Sequence, residues 1–346
     1  MRIYKDFPIN NSLQIKSISK FYVEVTSIND FDELYKFIKE KKLPTIVLGE
    51  GTNIVPCDYF NGISIKPLFN DIDFHKNYIS AGSCVNWHKL VSKTIENNIY
   101  GFENLSLIPG SVGAAPIQNI GAYGQEVSNL ILKVYCFDIK TGELCEFLNE
   151  DCMFSYRNSF FKNNCLMIYK VDFRSDSMQI LNLEYKSIQE YLKINNLNEN
   201  DISLSSLSEI VCEIRNKKLP NPKKIPNAGS FFKNPIVRKD SISQKYFSID
   251  GLIIWSHNNK NVKVGSARLI ELIKEEIEIF QNVEIYEKHS LILVTKSQPK
   301  QDEVLRYANL IQSKVLETFN INLEIEPIVI SCLLYTSPSP RDSGQS

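Results

Sequence analysis

The stretch "NAGSFFKNP", residues 227–235, sets one hydroxyl, Ser230, behind Ala-Gly and ahead of two phenylalanines. The phenylalanines favour burial, and a buried hydroxyl needs a partner. Ser230 therefore reads either as part of a capped turn or as a hydroxyl held in a dry pocket for chemistry. Arg157, in "SYRNS" (155–159), stands between an aromatic and a hydrogen-bonding pair, a setting common for surface arginines. Glu324 and Glu326, in "LEIEP", share a face of an expected strand ~7 Å apart, and side-chain physics does not choose between them. Lys218 precedes "LPNPK" at an expected helix C-terminus, where a cation is favoured in any case. His88 and His289 are lone imidazoles without metal-ligand spacing, so no metal site is expected.

Two loops could hold a ligand by their backbones. "GEGTN" (49–53) follows a strand and can turn several N–H groups toward one phosphate, although it matches neither G-x-G-x-x-G nor a Walker loop. "IPGSVGAAPIQNIGAYG" (108–124) is glycine-rich and nearly uncharged. It suits either backbone pressed against a flat ligand or a β-rich packing corner.

Strands and helices must position these loops. "FYVEVTS" (21–27) alternates as a half-buried strand. Asn29 or Asp30 is expected to cap a helix with Phe31, Leu34, Tyr35 and Ile38 on one face. "PTIVLGEGTN" (44–53) runs from strand into turn. Residues 63–175 are strand-dominated, with one helix over 86–97. Ser206 and Glu209 suggest a capping box that opens a helix over 206–217. Amphipathic helices are expected over 266–280 and 302–319, and a closing strand over 321–331. Without a strict βα rhythm, α+β in several domains is the fold class.

Composition excludes several classes. The chain has 346 residues, 39 Lys+Arg against 40 Asp+Glu, and 43% hydrophobic residues, as in ordinary globular proteins. No basic excess points to nucleic acid, and no apolar run reaches the ~18 residues of a membrane span. Eight cysteines show no C-x-x-C pair, and "MRIYKDFPIN" lacks a signal-like apolar core, so a cytoplasmic protein with free thiols is expected. Residues 332–346 turn Ser/Pro-rich and resemble translated adapter sequence, so they are expected to be a disordered, non-native tail.

Taken together, "LGEGTN", "IPGSVGAAPIQNIGAYG", "YRNS", "KLPNPK", "NAGSFFKNP" and "LEIEP" occur in the order found in the UDP-N-acetylenolpyruvoylglucosamine reductases, the MurB family. The resemblance covers about residues 5–331. It implies a two-part FAD-binding fold of the p-cresol methylhydroxylase/vanillyl-alcohol oxidase type, with a third α+β domain for substrate. The implied divisions are 1–66, 67–214 with a return strand near 321–331, and 215–320. It assigns Gly49, Glu50, Gly51, Thr52 and Asn53 to the FAD pyrophosphate. Along the cofactor it sets Pro109, Gly110, Ser111, Gly113, Ala114, Asn119, Ile120, Gly121, Ala122, Tyr123 and Gly124.

The implied reaction is NADPH-dependent reduction of the enolpyruvyl ether of UDP-N-acetylglucosamine to UDP-N-acetylmuramate, through non-covalent FAD. By motif position Ser230 is the proton donor, Arg157 the catalytic arginine and Glu326 the catalytic glutamate. Tyr185, Lys218 and Asn234 match substrate-contacting positions, Tyr185 within an inserted segment found in one branch. The implied partner is the UDP-sugar alone, in a monomer. Two departures stand out: Ile325 and Pro327 flank Glu326 where the family often has proline before it, and Ser266-Ala267-Arg268 replaces a common Ala-Gly-Trp. The alternatives are another flavin oxidase or dehydrogenase on this fold, or a nucleotide-sugar-binding protein without catalysis.

Overall fold

The computed structural model describes residues 1–175 and 179–331. The expected tail, with Cys332, lies outside the described residues.

Alternating apolar residues build a first, four-stranded sheet. Its strands are β1 (Arg2–Pro8), β2 (Ile18–Val25), β3 (Thr45–Val47) and, after the short β4 (Ile54–Pro56), β5 (Tyr59–Pro67). They lie in the order β1-β2-β5-β3, with β1 antiparallel to β2 and the other pairings parallel. Helix α1 (Phe31–Lys41) covers one face, burying Phe31, Leu34 and Ile38 against Val23, Val25, Ile63 and Ile65. Asp30 is its N-cap residue, one of the two expected, but makes no side-chain hydrogen bond into the helix. Ser27 accepts a hydrogen bond from the Asn29 amide, and the Asp30 carboxylate reaches back to the Ser27 amide, closing one 3-10 turn ahead of the helix.

A second sheet is antiparallel throughout. It comprises β6 (Ile72–Phe74), β7 (Tyr78–Gly82), β10 (Ile131–Asp138), β11 (Leu144–Leu148) and β12 (Leu166–Arg174), in the order β11-β10-β12-β7-β6. Helix α2 (Trp87–Glu96) packs on it with Trp87 fully buried against Phe102 and Phe173. Residues 108–124 form turns and one short hairpin, β8 (Gly121–Ala122) with β9 (Gln125–Glu126). Helices α3 (Lys186–Ile194) and α4 (Leu204–Lys218) pack together through Ile188, Leu192, Leu207 and Val211. The α4 cap is Ser203, which accepts from the Ser206 amide, so the helix starts one turn before the Ser206/Glu209 box suggested.

A third body holds two three-stranded sheets. One orders β13 (Asn227–Ser230), β18 (Ile292–Thr295) and β17 (Val283–Ile285); the other orders β14 (Ile236–Arg238), β16 (Asn261–Val264) and β15 (Ile254–Ser256). Helices α5 (Ser266–Ile273) and α6 (Gln301–Phe319) bury Leu269, Ile270, Ile311 and Val315 against them. Helix α5 stops short of residue 280, tightening into one 3-10 turn over Lys274–Glu276. Glu275, Glu276 and Glu278 crowd its negative end, where carboxylates oppose the helix dipole. No helix among the described residues is long and apolar enough to cross a membrane.

The closing strand is broken. Only β19 (Ile328–Ile330) is laddered, parallel to β4. Before it, Ile325 makes a single bridge to Phe232, and the Lys233 amide donates to the Glu324 carbonyl (2.9 Å). Pro327 carries no N–H and interrupts pairing between these two partners. Residues 321–331 thus stitch the third body to β4, beside the first sheet, with Glu326 at the crossing.

Candidate active site

Ser230 ends β13, and the next residue makes the connection that matters. The Phe231 carbonyl accepts from the Glu326 amide (2.9 Å), which fixes Glu326 one residue from Ser230 across the Phe232–Ile325 bridge. Phe231 and Phe232 are fully buried, edge to face with centroids 5.5 Å apart, and anchor this junction in the core. Arg157 approaches from the second sheet. It sits in a tight turn closed by Ser155 and Asn158, at a left-handed φ of 53° that a non-glycine residue rarely adopts. Its Nε lies 3.1 Å from Glu326 Oε1, and its Nη2 donates to the Gly121 carbonyl at 2.9 Å.

The two candidate carboxylates part here. The Glu324 side chain is 69% exposed and pairs with Lys233, whereas Glu326 is 12% exposed and faces Arg157. Burial raises the pKa of Glu326 against the opposing pull of Arg157, Lys233 and Lys162. The strand face they were expected to share is lost with the strand.

Ser230, Arg157 and Glu326 line one cavity of about 260 Å³, together with Gly110, Ile120 and Gly121. A second cavity of about 290 Å³ is lined by all of residues 49–53 and by Gly113. Thr52, Asn53, Ser111 and Ala114 border both, so the two form one cleft. The apolar, glycine-edged first part suits a flat ring, and the loop-lined second part suits a phosphate-bearing tail, so the residues present fit FAD. Gly51 is required in its loop: its φ is +68°, and a Cβ there would stand 2.1 Å from the Asn10 carbonyl oxygen. Gly113 serves packing instead, since a Cβ would stand 2.5 Å from that of Ser83. The packing-corner and ligand-facing readings of residues 108–124 therefore each describe part of that stretch.

Pro109 also borders the first cavity, whereas Asn119, Ala122, Tyr123 and Gly124 border neither. Asn119 is buried and holds the loop by donating to Glu126 and accepting from the Ser128 amide. Asn234 accepts from the Ser266 amide (2.9 Å) at the start of α5 and hydrogen-bonds the Tyr156 phenol. Ser266, the departure from Ala-Gly-Trp, is buried and donates to the Lys233 carbonyl. Lys218 is the exposed last residue of α4, and Tyr185 is half exposed, edge-on to Tyr123 at 5.3 Å. These last two border neither cavity.

Sequence reading missed Arg215. It lines the first cavity; burial lowers its pKa, and Tyr123 faces it as a partner. The available signal was its place on the flank of the α4 apolar stripe, one turn after Val211. Lys66, Ser83 and Lys162, which border the second cavity, were missed as well.

Comparison with known proteins gives a consistent result. Residues 19–147 match the FAD binding domain family, and residues 221–330 match the family described as UDP-N-acetylenolpyruvoylglucosamine reductase, C-terminal domain. The UDP-N-acetylenolpyruvoylglucosamine reductase of Bdellovibrio bacteriovorus is 36% identical over 333 residues, covering 93% of this chain and 97% of its own length. That of Porphyromonas gingivalis is 36% identical over 338 residues, covering 94% and 98%. The crystal structure of MurB from Thermus caldophilus shares the fold, with a TM-score of 0.64 at 20% identity over 96% of this chain and all of that one.

Proposed function

The chain belongs to the UDP-N-acetylenolpyruvoylglucosamine reductase family, and from that premise we propose that it reduces the enolpyruvyl ether of UDP-N-acetylglucosamine to UDP-N-acetylmuramate, with NADPH as reductant. The observation that carries this reading is the convergence of Ser230, Arg157 and Glu326, from three separate parts of the chain, on one glycine-edged cavity. Bound FAD, held along residues 49–53 and 109–121, would supply the two-electron transfer from NADPH to the alkene.

The protein's own residues handle charge and protons. Arg157, positioned by Gly121 and Glu326, binds the substrate carboxylate and meets the negative charge that builds on the adjacent carbon. Glu326, whose pKa burial raises, donates a hydrogen bond to the enolate oxygen in its protonated form. Ser230 gives its hydroxyl proton to the carbanionic carbon, and the resulting alkoxide regains a proton from solvent. Serine is a weak acid, so only a strongly basic partner such as an enolate takes its proton. Phe231 and Phe232 keep the junction dry.

The test is anaerobic. NADPH should bleach the flavin of the purified protein, and the enolpyruvyl UDP-sugar added afterwards should restore its colour. A flavin that bleaches and stays reduced would refute the substrate while keeping the cofactor.

A further inference from the structure

The second cavity carries a charge that the resemblance did not assign. Lys66 leaves the end of β5 and turns toward the "GEGTN" loop, where its Nζ donates to the Gly49 carbonyl (2.6 Å) and to Glu50 Oε1 (3.0 Å). Its side chain is only 14% exposed, while that of Glu50 is 42% exposed on the rim. The ammonium is therefore tied into the wall of the cleft by one backbone oxygen and one rim carboxylate.

A second, independent feature faces the same space. Among the described residues, five buried serine hydroxyls make no hydrogen bond, and of these only Ser83 borders this cavity. Ser83 is 2% exposed and held rigidly, its amide donating to Tyr169 and its carbonyl accepting from Gly113. A buried hydroxyl without a partner is costly unless something in the cavity bonds it. A loop with free amides, a fixed cation and an orphaned hydroxyl together make a site for a doubly charged anion.

We propose that Lys66 and Ser83 form, with residues 49–53, the diphosphate subsite of the cofactor, and that Glu50 positions the Lys66 ammonium while partly neutralising it. This rests on the FAD reading of the cleft. The backbone loop expected from sequence to meet a phosphate thereby gains a side-chain clamp, and cofactor retention in this chain depends on ionic strength.

The experiment measures FAD release from the holoenzyme on dilution, by recovery of flavin fluorescence, at low and high salt. Lys66→Gln should weaken FAD binding by about 10- to 100-fold and flatten its salt dependence, and Lys66→Arg should stay within about threefold of the parent. Ser83→Ala should weaken binding by about 3- to 10-fold. Glu50→Gln, which removes a like charge beside the diphosphate, should tighten it. Should Lys66→Gln fail to fold, Glu50→Gln alone decides, and unchanged or weaker binding there overturns the assignment. Parental affinity and salt response in Lys66→Gln would overturn it equally. A parent protein that retains no flavin would instead overturn the FAD reading beneath it.

Discussion

At the scale of single residues, the assignments separate by what each side chain touches. Ser230→Ala should keep the yellow cofactor and lose roughly 10²- to 10⁴-fold in turnover, measured by NADPH oxidation with the UDP-sugar; near-normal turnover would remove Ser230 from the chemistry. Glu326 gives a pH dependence with a definite sign. Its pKa is raised by burial, so the protonated, hydrogen-bond-donating form persists above the ordinary carboxylate range. Activity should fall on the alkaline side as Glu326 ionises, and Glu326→Gln, which remains a donor at all pH, should lose that limb. Retention of the same alkaline limb in Glu326→Gln would assign it to another group. Gly51→Ala should abolish flavin retention, because the left-handed loop leaves no room beside Asn10.

At the scale of elements, local signals located most segments and misplaced their ends. The α4 cap shows why: Ser203 and Ser206 are both good cap residues spaced one turn apart, and only the backbone geometry selects Ser203. Ser203→Ala should cost about 1 kcal/mol in denaturant unfolding, more than Glu209→Ala, whose supposed box does not exist. The closing strand failed for a different reason. Its alternation of Ile321, Leu323 and Ile325 against Asn322, Glu324 and Glu326 is real, with Ile321 and Leu323 buried. The ladder that alternation normally signals is absent, because the segment changes partners at Pro327.

At the scale of the whole molecule, Ser230, Arg157 and Glu326 meet only because residues 321–331 cross from the third body back to β4, beside the first sheet. A chain ending at Asn320 should fail to retain FAD on gel filtration and lose a cooperative thermal transition. It would lack Glu326, the β19–β4 pairing and three buried core residues, Ile321, Leu323 and Ile330. A truncated chain that still elutes yellow would show that the return segment positions the glutamate without supporting the cofactor cleft.

Residue order and composition gave the α+β class, the order of the loops, and Ser230, Arg157 and the Glu324/Glu326 pair as candidates, with motif position favouring Glu326. Those depend on local periodicity, turn chemistry and motif spacing, all of which are short-range. Only folding gives Glu324 and Glu326 different surroundings, the first exposed beside Lys233 and the second buried beside Arg157, a difference side-chain physics did not supply. The tertiary structure alone brought Arg215, marked in sequence only by its place beside the α4 apolar stripe, into the first cavity, and Lys66 and Ser83, which carry no local signature, into the second. A side chain's charge is written in the sequence, but its dielectric surroundings and its partner are set by residues tens to hundreds of positions away.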